Sequence, residues 1–264
     1  MEQKLAGQVA LVTGSGRGLG RAYAMHLARL GADVIVHDID AAATAVYGEG
    51  ESAEEIVEEI RTLGRRSLFV AADVVDSSQV EAAVRQALEA LGRIDILVNN
   101  AGGDIAAAGG KPKPNDCLEI PERDLHAVLD RNLIGTMNVS RAVAPGMMER
   151  RQGRIVNVAS VAGLSPTTVE PVYAVAKAAI IHYTRCLAAQ LRPYGINVNC
   201  ISPGGTRSAR FLADRPHMTA EQLAPKSRLE RLGEPEDVAK VVEFLVTDLS
   251  DFVTGQNIKV AGAP

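Results

Sequence analysis

Cysteine is scarce: Cys117, Cys186 and Cys200 are the only three in the 264-residue chain. They are odd in number, widely spaced and include no Cys-x-x-Cys pair. Neither a disulfide framework nor a thiolate zinc site is suggested, and all three are expected to be reduced and mostly structural. Histidine is scattered too: His26, His37, His126, His182 and His217 form no H-x-x-x-H pair and no cluster with carboxylates, so no metal is expected. Of these only His217, in a late loop, is placed to meet a substrate. No long basic run interrupts a net charge of −4, which excludes the electrostatic footprint of a protein that binds nucleic acid or anionic lipid. A span of about 20 apolar residues is missing, as is a charged and then apolar leader before Val9, so a cytoplasmic protein without a membrane partner is expected. Internal repeats are absent, and so is a G-x-S-x-G elbow. What these absences leave is a small-molecule partner.

Apolar residues make up 47% of the chain and glycines number 24, which fits a compact fold rich in tight turns and argues against disorder. The length allows one large α/β domain, and residues 1–264 are read as one. Short apolar runs recur at residues 9–13, 34–37, 67–71, 94–99, 154–159, 196–201 and 258–260. Between them lie stretches of helical period, at roughly 18–30, 52–63, 77–91, 122–150, 171–192 and 235–248. Ser78 and Glu81 have the spacing of a capping box. This βαβ rhythm predicts a Rossmann-type, doubly wound parallel sheet of about seven strands with helices on both faces. Two Gly/Pro-rich or polar stretches, about 103–121 and 204–234, break the rhythm. Both leave the carboxyl edge of the sheet, where such folds bind ligands, and are read as walls of a substrate pocket.

After the first strand comes Thr13-Gly14-Ser15-Gly16-Arg17-Gly18-Leu19-Gly20, running into a helix. Glycine lets backbone approach a pyrophosphate closely, and a helix start offers it free N–H groups. Leu19 stands where the commoner G-x-G-x-x-G spacing has its last glycine, so the pattern is T-G-x-x-x-G-x-G. About 20 residues on, the second strand ends at Asp38, whose carboxylate suits a ribose diol and repels a 2′-phosphate. Arg17 argues the other way, toward NADP. A desolvated carboxylate against phosphate is costly, whereas an arginine can swing into solvent, so NAD is expected.

Tyr173-Ala174-Val175-Ala176-Lys177 begins a long alanine-rich helix. Residues four apart share a helix face, so phenol and ammonium point into the same space. A free phenol titrates near 10, and bringing it near 7 requires roughly 4 kcal/mol, which two close positive charges, a lysine and a nicotinamide, would supply. Together with the glycine turn, Asn99-Asn100-Ala101-Gly102, Asn132, Ser160 and Pro203-Gly204, all in order, the chain resembles the short-chain dehydrogenase/reductase family over essentially its whole length.

That resemblance implies Tyr173 as general acid/base, with Lys177 lowering its pKa and binding the nicotinamide ribose. It implies Ser160 as the hydrogen-bond partner of the substrate oxygen, and Asn132 as holder of a water linking Lys177 to solvent. By the same resemblance Gly14, Arg17, Gly18, Leu19 and Gly20 form the pyrophosphate turn. Asn99, Asn100, Ala101 and Gly102 line the cofactor, Asp73 and Val74 meet the adenine, and Pro203, Gly204 and Thr206 enclose the nicotinamide. It also implies a homotetramer through the helix after Pro171 and its predecessor, with Ala174, Ala178 and Ala188 permitting close approach. The ending Val260-Ala261-Gly262-Ala263-Pro264 departs from the family's Asp-Gly-Gly pattern.

The expected activity is reversible, NAD-dependent oxidation of a secondary alcohol: a cyclic alcohol, a glycol or a sugar-like polyol. Basic residues in the two loops, among them Lys111, Lys113, Arg207, Arg210, Arg215, Lys226, Arg228 and Arg231, raise the prospect of an anionic substrate. Competing readings are an NADPH-dependent carbonyl or 3-oxoacyl thioester reductase, and a dinucleotide sensor that has lost its chemistry; a sensor should have a broken catalytic set. Tyr183 and Tyr194 are read as packing residues.

Overall fold

The computed structural model describes residues 3–48 and 52–262. The apolar runs become strands β1 (Val9–Thr13), β2 (Asp33–Asp38), β3 (Ser67–Ala71), β4 (Ile96–Asn99), β5 (Gly153–Val158), β6 (Ile196–Pro203) and β7 (Asn257–Val260). They form one parallel sheet in the order 3-2-1-4-5-6-7. The helices are α1 (Gly18–Arg29), α2 (Ala53–Thr62), α3 (Ser77–Leu91), α4 (Glu122–Leu129), α5 (Gly135–Arg150), α6 (Pro171–Leu191), α7 (Ala209–Ala213), α8 (Ala220–Leu223) and α9 (Pro235–Val246).

Side chains alternate across a strand, and here both faces are covered, so successive apolar residues enter different cores. Ala10, Val12, Val34 and Val36 pack with Leu27, Ile56 and Val242 of α1, α2 and α9. Val9, Leu11 and Ile35 pack on the other face with Val84, Met147 and Leu187 of α3, α5 and α6. Tyr183 and Tyr194 pack at the edge of this second core. Because β1 has β2 on one side and β4 on the other, the chains leaving β1 and β4 diverge, and a crevice opens at the carboxyl edge between them.

Several sequence expectations change in detail. Helix α3 starts two residues earlier than a Ser78–Glu81 box requires: Asp76 is its cap, accepting from Ser78 N at 2.9 Å and Gln79 N at 3.2 Å. The helix expected over 122–150 is interrupted by a wide π turn at Asp130–Ile134. Asn132 lies in that turn, and its Nδ2 donates to Val128 O four residues back (2.8 Å) and to Gly103 O (2.9 Å), so the backbone widens where this side chain is stitched to the loop after β4. The stretch 204–234 contains α7 and α8 rather than loop alone.

Ala174 and Ala188 face their own subunit's interior and are buried, leaving Ala178 as the exposed member of that trio. Cys200 is buried in the core, whereas Cys117 and Cys186 are exposed, so a structural role holds for Cys200 alone. Ala263 and Pro264 lie outside the described residues. Among the described residues no helix is long and apolar enough to cross a membrane.

Candidate active site

The glycine turn between β1 and α1 is built by its neighbours. Thr13 Oγ1 accepts from Asn100 N and Ala101 N, each at 3.0 Å, and Asn100 Nδ2 donates to Thr13 O and Gly14 O, also at 3.0 Å. Asn100 therefore clamps the turn to the segment after β4. Gly14 has φ +61°, and a β-carbon there would lie 2.9 Å from Ala101 Cα. One on Gly20 would overlap the Gly14 carbonyl oxygen and reach 2.6 Å from Asn100 Nδ2. Gly20 is thus required by the packing of helix against turn, before any ligand approach enters. Gly20→Ala is expected to lower stability by about 1–3 kcal/mol through forced displacement of the turn and to weaken dinucleotide binding with it. Thermal unfolding and NADH titration check this; a variant with unchanged Tm would contradict the packing argument.

The amino end of α1 carries Arg17 at its cap, with no side-chain capping bond and no acidic residue in the first turn, an arrangement that suits an anion. Asp38, at the end of β2, accepts from Gly16 N (3.1 Å) and Ile39 N (2.9 Å). A carboxylate retains further acceptor sites for ribose hydroxyls. Arg17 Nη1 donates to Ala43 O at 2.8 Å, on the 3-10 segment Ala41–Tyr47 that follows β2. Beside them His37, missed in the sequence, is buried with its pKa lowered by that burial. Gly14 N approaches its Nδ1 at 3.5 Å.

At the other end Tyr173 and Lys177 stand one turn apart on α6, with Lys177 Nζ 5.5 Å from the phenol ring centroid. Lys177 is buried and donates to Val158 O at 2.8 Å. Burial lowers its ammonium to about 8. Burial also pushes the Tyr173 phenol up to about 12; a hydrogen bond with Ser160 opposes this, Glu170 adds to it, and Arg210 opposes it. The expectation that Lys177 depresses the phenol is thus not met in the chain by itself. The counter-pull comes from Ser160 and Arg210, while the Lys177 ammonium is itself destabilised and committed to a carbonyl. Ser160 sits at the end of β5, its Oγ also accepting from Ala162 N at 3.2 Å.

Most of the expected residues line one cleft of about 830 Å³ at the switch point: Gly14, Arg17, Gly18, Leu19 and Gly20, then Asp38, Asp73 and Val74. Asn100, Ala101 and Gly102 follow, with Ser160, Tyr173, Lys177, Pro203, Gly204 and Thr206. Two expectations differ, those for Asn99 and His217. Asn99 is buried in the core, where its Nδ2 donates to Asn157 Oδ1 (2.8 Å) and Ser140 Oγ (3.0 Å), while Asn157 donates to Thr184 (3.0 Å). It ties β4 to α5 and, through Asn157, β5 to α6; it does not line the cleft. Asn132 is fully buried, and Gly103 N donates to its Oδ1 at 2.9 Å. Asn132 and Lys177 flank Gly102, where a β-carbon would be 2.5 Å from Asn132 Oδ1 and 3.5 Å from Lys177 Nζ. His217 is exposed and away from the cleft. Conversely, Asp104 of the loop after β4, Arg131 of the π turn and Glu170 at the cap of α6 enter the lining without a sequence signal, because only the tertiary fold brings them together.

The lining fits a dinucleotide: an uncapped helix start for pyrophosphate, a carboxylate at one end for ribose, and a phenol, hydroxyl and ammonium at the other. Such a cleft at the switch point of a parallel sheet defines a dinucleotide-dependent α/β oxidoreductase. The model of the short chain dehydrogenase family matches residues 8–218. Cyclohexanol dehydrogenase of Rhodococcus sp. (strain TK6) is 43% identical over 264 residues, covering 98% of this chain and 96% of that one. The (2S)-[(R)-hydroxy(phenyl)methyl]succinyl-CoA dehydrogenase subunit BbsD of Thauera aromatica is 38% identical, covering 97% and 95%. Among solved structures, NAD+-bound xylitol dehydrogenase superposes with a TM-score of 0.86 at 31% identity, covering 98% of this chain and 100% of that one. The chain belongs to the short-chain dehydrogenase/reductase family and is an NAD(P)-dependent oxidoreductase.

Proposed function

We propose that the protein oxidises a secondary alcohol reversibly to its ketone with NAD, the substrate being a cyclic alcohol, a glycol or a sugar-like polyol. The observation that carries this reading is the convergence of Tyr173, Ser160 and Lys177 at one end of the cleft that Asp38 and the glycine turn close at the other. The dinucleotide, when bound, exchanges the hydride and in its oxidised form brings a positive charge to this end of the cleft. Ser160 Oγ holds the substrate oxygen, and Tyr173 exchanges the proton with it. Lys177 holds the nicotinamide ribose, and Asn132 positions Gly102 and Gly103 beside it. The similarity to cyclohexanol dehydrogenase and to NAD+-bound xylitol dehydrogenase supports the alcohol class. Assembly as a homotetramer through α5 and α6 belongs to the same proposal and is read by light scattering.

Asp38 decides the cofactor. Its carboxylate meets a ribose diol well and a 2′-phosphate badly, so kcat/KM with NAD is expected to exceed that with NADP by at least about tenfold. Asp38→Asn keeps the hydrogen-bonding shape, loses the charge, and should narrow that ratio several-fold. The assay is a spectrophotometric screen of secondary alcohols with each dinucleotide. A preference of the wild type for NADP sinks the cofactor assignment, and failure to oxidise any secondary alcohol sinks the activity.

A further inference from the structure

Three basic side chains of the two loops are already committed to carboxylates. Arg207 pairs with Glu234 (3.3 Å) and Arg231 with Asp237 (2.6 Å), and Lys111 lies between Glu170 (3.3 Å) and Asp104 (3.5 Å). Arg210, on α7, differs. Its Nη1 donates weakly to Gly102 O (3.3 Å), and its Nε lies 3.8 Å from Asp214 Oδ2, beyond hydrogen-bond reach. The fork lies against Gly103, where a β-carbon would overlap both terminal nitrogens. It lines the cleft, and its charge is felt by both Tyr173 and Lys177. A guanidinium with one long bond to a neutral carbonyl, next to the proton-transfer group, retains donors for a ligand.

We propose that Arg210 determines specificity by receiving a carboxylate carried by the substrate near its reacting carbinol, so that the preferred substrate is a secondary hydroxy acid. This rests on the alcohol oxidation proposed above. The planar fork offers two parallel donors that match a carboxylate, which a lysine does not.

The test compares 3-hydroxycyclohexane-1-carboxylate with its neutral carboxamide and with cyclohexanol, using the wild type, Arg210→Gln and Arg210→Lys with NAD. The wild type is expected to favour the carboxylate over the carboxamide by about 10- to 100-fold in kcat/KM. Arg210→Gln should collapse that ratio to near one, mainly through KM, and Arg210→Lys should restore part of it. If neutral alcohols turn over and the carboxylate has no advantage, or if Arg210→Gln lowers both acid and amide equally, the Arg210 assignment falls while the activity stands. If no alcohol turns over, the activity falls, and calorimetry of cyclohexanecarboxylate with NADH-loaded protein judges Arg210 separately: equal binding to wild type and Arg210→Gln overturns it.

Discussion

Tyr173→Phe lowers turnover by about 10²- to 10⁴-fold, the range that a positioned general acid/base contributes, while NADH binding stays within a few-fold. The substitution removes one oxygen and leaves the ring. The phenol is held in its protonated form, pushed up to about 12 chiefly by burial. It is therefore ready to donate a proton for ketone reduction across the neutral range, and must lose that proton before it can act as a base. The sign follows for the wild type: alcohol oxidation rises with pH as the phenolate fraction grows, and ketone reduction stays level until the phenol ionises and then declines. Both profiles should vanish into the residual rate in Tyr173→Phe. Stability should move little, because the lost bond to Ser160 is offset by removal of a desolvated hydroxyl. Steady-state rates at several pH values, with NADH titration alongside, decide the matter. Turnover at the wild-type level would remove Tyr173 from the chemistry.

The fold was largely legible because its signal is periodic. Each short apolar run became a strand within two residues of the expected ends, and the interior strands, buried on both faces, read as continuous hydrophobic sequence. Details set by single side chains were less accessible. Asp76 outcompeted Ser78 as a cap because the helix began two residues earlier, and Asn132 widened its helix by bonding a loop 29 residues away. The family resemblance also misplaced Asn99, which precedes the cleft residues Asn100 and Ala101 yet points into the core. Its strand ends there, so neighbouring residues face opposite sides. The residues that converge at the phenol end of the cleft, Ser160, Tyr173 and Lys177, were readable as a set in fixed order. The electrostatics were not, because the phenol answers to Ser160, Glu170, Arg210 and Asp104, and the last two reach it only through tertiary folding of the two loops.

Lys177→Met is expected to separate function from stability. Turnover should fall about 10²-fold or more with loss of the ammonium from the proton-transfer site. Stability should respond to pH in a way that a surface lysine could not produce. Lys177 titrates at about 8 in the fold, against about 10.4 in an unfolded chain. Between those values the unfolded state binds more protons, so the wild type gains stability as pH rises through this window, and below about 8 it bears the full cost of the buried ammonium, about 3 kcal/mol. Methionine carries no such cost at any pH. It also leaves Val158 O without its 2.8 Å donor, a loss of about 1–3 kcal/mol that does not depend on pH. The two terms nearly cancel at pH 7, where the variant should melt at or slightly above the wild type. At pH 10 the wild-type lysine is largely neutral and still hydrogen-bonded, so the variant should melt lower by several degrees. The decisive quantity is the change in the Tm difference between pH 7 and pH 10, which cancels the unknown packing of the methionine. A constant difference would mean that Lys177 keeps its ordinary pKa in the fold. A difference that shrinks and then reverses would mean that the fold tolerates a costly lysine at this position, a local penalty of the kind that active sites retain for chemistry.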